Sequence, residues 1–404
     1  MHSSLTALSF WVLTGLIQAL AAIPWLVTLN RNVFRTKSGV GGSVDMLWRL
    51  GLLVLVGVLP GLWFAFTDQD PTRVAFWGGV YGAVLYFQLI LDVFVLGFAL
   101  LLWIWPKAGA VALAAFREGV RQPMFWFIMG VSLFLMCALT PLLPYFTFGE
   151  DYKMVKELGY GIIMLAAGAF GILNASMSIS EEIEGRTAVT LMSKPVSRRQ
   201  FLLGKFLGIA GVCLFMTAVL SWFYDGSLLM KLQYLNWDQE PMPTFAWLEP
   251  FRTVWAIKLG DLPGAFAFGN AWWFGHVLSM LPGVVLGFGQ AMVLVAIAVA
   301  LATRLPMIVN IVCCTVIFFL GNLTPVLAQI SQGRYPLIKF MAQVFGSVLP
   351  GLDFFNMGTA ITRDTPLPTG PFAVYLGTVS LYAVLYTAVA LLLGLILFED
   401  RDLA

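Results

Sequence analysis

The sequence predicts an all-α membrane protein with about nine transmembrane helices. Of its 404 residues, 60% are hydrophobic and 11% are charged, whereas a soluble domain carries about 25% charged residues. The apolar residues fall in repeated runs of about 20, the length that an α-helix needs to cross a bilayer. A transmembrane barrel would instead show short segments of alternating polarity. The composition therefore favours a polytopic helical protein over a soluble enzyme or a barrel.

Nine apolar runs have the length of a membrane span or come close to it. The second run is short, whereas the third is long enough to tilt or to extend past the bilayer. The first lacks the basic start and the cleavage site of a signal peptide, so we expect it to remain as a span. A tight turn that contains Arg304 joins the seventh and eighth runs. The predicted spans are residues 5–29, 47–67, 76–105, 124–146, 160–180, 201–224, 273–301, 305–328 and 371–398.

The distribution of basic residues predicts the orientation. Of the 23 Lys and Arg residues, 14 fall in one set of alternate connections, which are short. The other nine are spread over much longer segments. Because cytoplasmic loops carry the excess of Lys and Arg, we expect the first set to be cytoplasmic. This places the N-terminus outside and the C-terminus in the cytoplasm. We expect the protein to lie in the cell (inner or cytoplasmic) membrane.

Residues 106–123, between the third and fourth spans, are predicted to form a short helix in the membrane interface. Leu113, Phe116 and Val120 fall on one helical stripe, with charged residues beside it. The alternative is a solvated linker helix. The interfacial helix is favoured because Phe116 and Val120 would otherwise be exposed to water. The charged residues beside the stripe are Arg117, Glu118 and Arg121.

Two long outer segments, 225–272 and 329–370, are rich in Trp, Phe, Pro and Gly. Tryptophan gathers at the level of the lipid headgroups. We expect these segments to lie against the membrane or to fold partly back into it, rather than to form soluble domains.

The most polar stretch of the chain runs from Glu181 to Lys205, between two spans. It contains eight charged side chains, and each would cost about 2.5–3.5 kcal/mol at the membrane centre. This stretch, called the central loop below, must therefore face water. Its basic residues indicate the cytoplasm.

The central loop is predicted to be stiff. Gly185 permits a break after an acidic helix end, and Pro195 should end a short helix over residues 187–193. Ser197 and Gln200 have the spacing of a capping box that opens the next span. A stiff connection transmits a push that a flexible one would absorb.

The sequence lacks the motifs of several enzyme classes. No Gly-x-x-x-x-Gly-Lys-Ser/Thr occurs, so the chain is not expected to bind ATP through a P-loop. His2 and His276 form no zinc-protease motif, and His276 is interpreted as a packing or helix-end residue. The four cysteines lie in apolar runs and indicate neither a disulfide framework nor a metal site. No basic tail or cluster indicates nucleic acid.

The central loop resembles the cytoplasmic signature of ATP-binding-cassette (ABC) type-2 permeases. The similarity lies in Glu-x-x-Glu-Gly-Arg-Thr at 181–187, Leu-Met-Ser-Lys-Pro-Val-Ser-Arg at 191–198 and Phe-Leu-Leu-Gly-Lys at 201–205. Arg186 interrupts the Gly-Thr pair that is typical of the family. The chain end at 398–403 and Pro-Gly-Leu-Asp-Phe-Phe at 350–355 are also similar to the family.

The resemblance covers about residues 106–404, an interfacial helix followed by six spans, and leaves residues 1–105 as a three-span extension without an assigned function. It implies a membrane subunit that exports an unknown substrate, contacts membrane lipid and forms a homodimer or a heterodimer with a second permease subunit. This subunit would work with two copies of a separate ATPase. The ATPase would hold ATP and Mg, and the central loop would dock into it. The residues implicated in this coupling are Glu181, Glu182, Glu184, Gly185, Arg186, Thr187, Pro195, Ser197, Arg198 and Lys205.

Asp92, near the middle of the third span, is a second candidate site. Gln88 lies one turn away on the same face, and an acid inside the membrane indicates function by default. Asp92 has a proton-linked role or forms a structural hydrogen bond, and the sequence does not decide between them. Two other functions therefore stay open: an ATP-independent proton-coupled carrier or membrane enzyme centred on Asp92, and a membrane assembly factor that transports nothing.

Overall fold

The computed structural model confirms the predicted all-α class in the part of the chain that it describes. That part comprises residues 2–29, 70–142, 151–184, 197–234, 261–330, 343–346, 348–356 and 369–399, with isolated positions between them. Its main elements are nine α-helices and one 3-10 helix, at Leu352–Phe355, and residues 343–346 are also helical. The α-helices are α1 His2–Leu29, α2 Pro71–Ile104, α3 Pro106–Arg121, α4 Pro123–Leu142, α5 Asp151–Glu184, α6 Arg198–Tyr234, α7 Asp261–Ala302, α8 Met307–Ile330 and α9 Thr369–Glu399.

Seven of the described helices, namely α1, α2, α4, α5, α6, α7 and α9, are long and apolar enough to cross a membrane. In α8, the part whose side chains the structure describes, Met307–Leu323, is also apolar. Eight of the nine predicted spans thus coincide with helices. The remaining one, 47–67, lies almost entirely outside the described residues, so the number nine and the orientation stay predictions. Helices α6 and α7 also continue into both ends of the predicted outer segment 225–272.

Helix ends follow local chemistry. Asp70 caps α2, since its carboxylate accepts hydrogen bonds from the Thr72 backbone N–H at 3.1 Å and from the Thr72 hydroxyl at 2.6 Å. Pro71 occupies the first helical position, where a backbone N–H would have no helical partner. The hydrogen bonds from Thr72 lower the pKa of the Asp70 carboxyl.

Residues 1–100 and 239–279 form one compact unit. Its small core contains Trp11 of α1, Val74 of α2 and Phe266 of α7. Two glycines, Gly78 of α2 and Gly269 of α7, let the backbones of α2 and α7 approach closely, because a Cβ at either position would collide with a carbonyl oxygen of the other helix.

Residues 101–238 and 280–404 form a second compact unit with a larger hydrophobic core. Phe125 of α4 lies 5.4 Å from Phe170 of α5 and 6.3 Å from Phe215 of α6, measured between ring centroids. These aromatic contacts join α4, α5 and α6 at the centre of the unit.

Helix α3 confirms the short helix predicted at 106–123, but its buried face differs from the predicted apolar stripe. Phe116 is half-buried and packs edge-on against Phe215, and Val120 also packs against the core. The fully buried face consists of small residues, because α3 lies very close to α6. Its place in the membrane interface stays a prediction. The buried residues are Ala108, Gly109, Ala112, Ala115 and Gly119.

Candidate functional site

The structure describes the two flanks of the central loop. Helix α5 carries the chain to Glu184, as the acidic helix end predicts, and α6 begins at Arg198. The residues between them, 185–196, lie outside the described part. The side chains of Glu181 and Glu184 also lie outside the described part. The coupling role of all ten predicted residues stays a prediction, including Gly185, Arg186, Thr187 and Pro195, which lie in the stretch that is not described.

The predicted capping box at the start of α6 is confirmed. The Gln200 backbone N–H donates a hydrogen bond to Ser197 Oγ at 3.3 Å, and the Ser197 backbone N–H donates to Gln200 Oε1 at 3.2 Å. Such a cap stabilises a helix start by about 1 kcal/mol. It fixes the residue at which the central loop becomes helix.

Lys205 lies at the centre of a cluster that joins three helices. Its Nζ is 2.6 Å from Glu182 Oε1 of α5 and 3.2 Å from Glu118 Oε2 of α3. It also donates a hydrogen bond to Ser178 Oγ of α5 at 2.9 Å. The Lys205 side chain is only 5% exposed. We call Lys205, Glu118, Glu182 and Ser178 the Lys205 hub.

Close packing of α3 on α6 brings Glu118 to this hub. A Cβ at Gly204 would lie 2.8 Å from the Ala108 carbonyl oxygen, and one at Gly208 would lie 2.5 Å from the Ala112 carbonyl oxygen. Only glycine permits such an approach at these two positions. The Gly-Lys of the loop signature thus combines a close helix contact with the buried ammonium beside it.

The hub contains more acidic than basic groups, since one ammonium contacts two carboxyl groups. Burial raises the pKa of the Glu182 carboxyl, and the Lys205 ammonium opposes that rise while Glu118 adds to it. The net direction is upward. Glu182 is therefore protonated at a higher pH than an ordinary glutamate.

Arg198 and Arg199, at the start of α6, contact the end of α9. Arg198 Nη1 donates hydrogen bonds to the carbonyl oxygens of Phe398 at 3.0 Å and Glu399 at 2.8 Å. Arg199 forms an ion pair with Glu399 at 3.2 Å. Cations are favoured at a helix C-terminus, where carbonyl groups lack helical partners. We call these two arginines with Phe398 and Glu399 the arginine clamp.

The motif at 350–355 also contacts α9. The Gly351 N–H donates to the Tyr382 hydroxyl at 3.0 Å, and the Tyr375 hydroxyl donates to the Phe354 carbonyl oxygen at 2.7 Å. Leu352 and Phe355 are buried. The motif is thus a structural element that packs against the last span.

The comparison with protein families matches the region that contains these contacts. The model of the family described as ABC-2 family transporter protein matches residues 109–403, which is well over half of the chain. The chain belongs to the ABC-2 transporter family. The resemblance that the loop motifs indicated is confirmed, and the chain is a multi-pass membrane permease of that family. No curated protein matches this ABC-2 permease.

The second candidate site of the permease, Asp92 with Gln88, lies outside the matched region. Gln18 Nε2 donates a hydrogen bond to Gln88 Oε1 at 2.6 Å. Asp92 is buried, and its Oδ1 has no hydrogen-bond partner among the residues that the structure describes. The amide of the neighbouring helix therefore pairs with Gln88 and not with Asp92, whose role stays a prediction.

His276 packs as predicted. Its ring is buried and stacks on Trp272, with 6.1 Å between centroids. The Ser279 hydroxyl donates to the backbone carbonyl of His276 at 2.7 Å. The Ser279 hydroxyl therefore forms its hydrogen bond within α7.

Sequence reasoning missed two partners of the predicted residues. Glu118 is the α3 partner of Lys205, and Glu399 is the α9 partner of Arg199. The sequence showed only that Glu118 lies beside the apolar stripe of α3, which does not identify its partner. Arg198, predicted to contact an ATPase, donates to α9 in this structure.

Proposed function

We propose that this permease exports its substrate with energy from ATP hydrolysis by a separate ATPase, and that the central loop receives the movement of that ATPase. Two ATPase copies and a second permease subunit complete the transporter, as is typical of the family. ATP and Mg bind to the ATPase, and the assembly lies in the cell membrane. The Lys205 hub is the observation that carries the proposal.

The ion pairs of the hub connect both flanks of the loop to each other and to α3. Glu182 lies two residues before the end of α5, and Lys205 lies eight residues after Ser197. A displacement of the loop therefore acts on α5, α6 and, through Glu118, α3. The arginine clamp extends the connection to α9.

Coupling requires that the ATPase bind two conformations of the permease with different affinity. By reciprocity, the conformation of the permease then changes the affinity of the ATPase for its nucleotide. The contacts of Lys205 with Glu182 and Glu118 support such a coupling, because they connect both described flanks of the loop to neighbouring helices.

The test begins with the permease purified from its native membrane. We expect a P-loop ATPase to co-purify and to hydrolyse ATP faster in proteoliposomes with the permease than alone. Glu182→Lys should abolish this stimulation, because it places a second cation beside Lys205. Glu157→Lys is the matched control, since it makes the same charge change on an exposed residue of the same helix.

Full stimulation by a correctly inserted Glu182→Lys permease would contradict the role of the hub. Failure of any P-loop ATPase to co-purify with the intact wild-type permease would contradict the ATP coupling itself.

A further inference from the structure

Two arginines lie one turn apart on the exposed face of α3. Arg117 and Arg121 are both exposed, and their spacing of four residues places them on the same side of the helix. Within the described part of the chain, neither guanidinium has an ion-pair or hydrogen-bond partner. Glu118, which lies beside them, contacts Lys205 instead.

This pair lies where the chain enters the membrane span α4. Arg121 ends α3, and the apolar span begins two residues later and runs over Pro123–Thr140. Trp126 and Phe127, in the first turn of that span, are 60% and 65% exposed. Tryptophan at a span end is typical of the level of the lipid headgroups. Arg121 lies only five residues before Trp126 in the chain.

We propose that Arg117 and Arg121 bind the phosphate headgroup of an anionic phospholipid. The guanidinium group presents a planar set of donors that matches a phosphate bidentately. Basic residues beside a membrane span attract anionic lipids electrostatically. Two such groups, one turn apart and next to the start of a span, complement a negative phosphate and leave the acyl chains against the apolar face of α4.

The bound lipid acts on the helix that contributes Glu118 to the Lys205 hub. It holds the exposed face of α3 to the membrane while the opposite, small-residue face packs on α6. The site is a property of the permease alone. Its occupancy therefore does not depend on the proposed ATP coupling.

The experiment measures lipid retention by native mass spectrometry of the full-length permease. The protein is held in micelles that contain equal amounts of phosphatidylglycerol and phosphatidylcholine. We expect wild type to retain phosphatidylglycerol preferentially. The double variant Arg117→Gln/Arg121→Gln should bind it about 30-fold more weakly, as expected for the loss of two surface bases. Phosphatidylcholine binding should not change.

Two further variants make the result specific. Arg117→Lys/Arg121→Lys keeps both charges and should retain part of the preference, because lysine lacks the bidentate fork. Lys258→Gln/Arg304→Gln removes two other exposed charges and should behave as wild type. An equal loss in this control would show a nonspecific charge effect and overturn the proposal.

Two other outcomes also overturn it. One is a wild-type permease that shows no preference for phosphatidylglycerol. The other is a glutamine variant that keeps the lipid but loses a co-purifying ATPase, which would assign the arginines to a protein contact. Circular dichroism and gel filtration verify that each variant is folded.

Discussion

The two contacts that hold the start of α6 differ in burial. In the Lys205 hub the side chains of Lys205 and Glu182 are 5% and 21% exposed, and only Glu118 is as exposed, at 48%, as the acid of the clamp. In the arginine clamp Arg199 is 71% exposed and Glu399 is 48% exposed. Exposed ion pairs contribute about 0–1 kcal/mol, whereas removing one partner of a buried pair costs about 3–5 kcal/mol. The hub therefore fixes the helices to one another, and the clamp orients the end of α9.

The largest effect is expected for Lys205→Met. Methionine fills the space of the lysine stem but leaves Glu182 and Glu118 facing each other without a cation. We expect a loss of up to about 3–5 kcal/mol, the upper value applying if both acids stay ionised. Thermal unfolding of the purified permease, followed by tryptophan fluorescence, measures the shift. Lys258→Met, at an exposed position, is the control, and equal midpoints for the two variants would contradict the importance of the hub.

Gly208→Ala tests the packing that brings Glu118 to the hub. The added Cβ would lie 2.5 Å from the Ala112 carbonyl oxygen and 2.6 Å from the Ala115 Cβ, so α3 must move away from α6. Overpacking of this kind costs about 1–3 kcal/mol. The same substitution at Gly130 of α4 meets no atom within 4 Å and should be neutral or slightly stabilising, because alanine favours helix. Equal unfolding midpoints for the two variants would show that the close approach of α3 is not needed.

Acidification tests whether the ionised Glu182 carboxylate causes the instability of Lys205→Met. Burial raises the pKa of Glu182 and Lys205 opposes that rise, so the loss of Lys205 should raise this pKa further. In Lys205→Met the ionised carboxylate therefore destabilises the fold at high pH. This destabilisation is lost progressively as the pH falls through the raised pKa toward that of an ordinary glutamate. We expect the difference in unfolding midpoint between Lys205→Met and wild type to shrink on acidification from pH 8 toward pH 5.

A constant difference over the same pH range would show that Glu182 does not cause the instability. Adding Glu182→Gln to Lys205→Met gives the control. This double variant should be more stable than the single one at pH 8 and insensitive to acidification in this range.

The smallest effect is expected for Arg199→Gln. The ion pair with Glu399 is largely exposed, so its loss should cost about 0.2–1 kcal/mol. Salt screens such pairs, and the difference from wild type should therefore vanish at high ionic strength. An unfolding shift as large as that of Lys205→Met would erase the distinction between hub and clamp.

The local features of this site were predictable from sequence, whereas its long-range partners were not. The capping box at Ser197 depends on residues three apart, and a short motif encodes it fully. The buried face of α3 depends on Gly208 of α6, because the close approach at this glycine leaves room only for alanine and glycine on α3. The stripe with Phe116 therefore lies beside the buried face and not on it. The Arg199–Glu399 pair joins residues 200 positions apart, and no periodicity along the chain reports such a contact.

The proposed coupling requires the loop between α5 and α6 to contact a separate ATPase. A photo-crosslinking amino acid at Thr190 tests it in native membranes, with the same residue at Phe134, which is exposed on the apolar span α4, as the control. We expect Thr190 to crosslink to a protein that mass spectrometry identifies as a P-loop ATPase, and Phe134 not to do so. Crosslinking of Thr190 only to lipid or to proteins without a P-loop, in a membrane where the permease is intact, would contradict it.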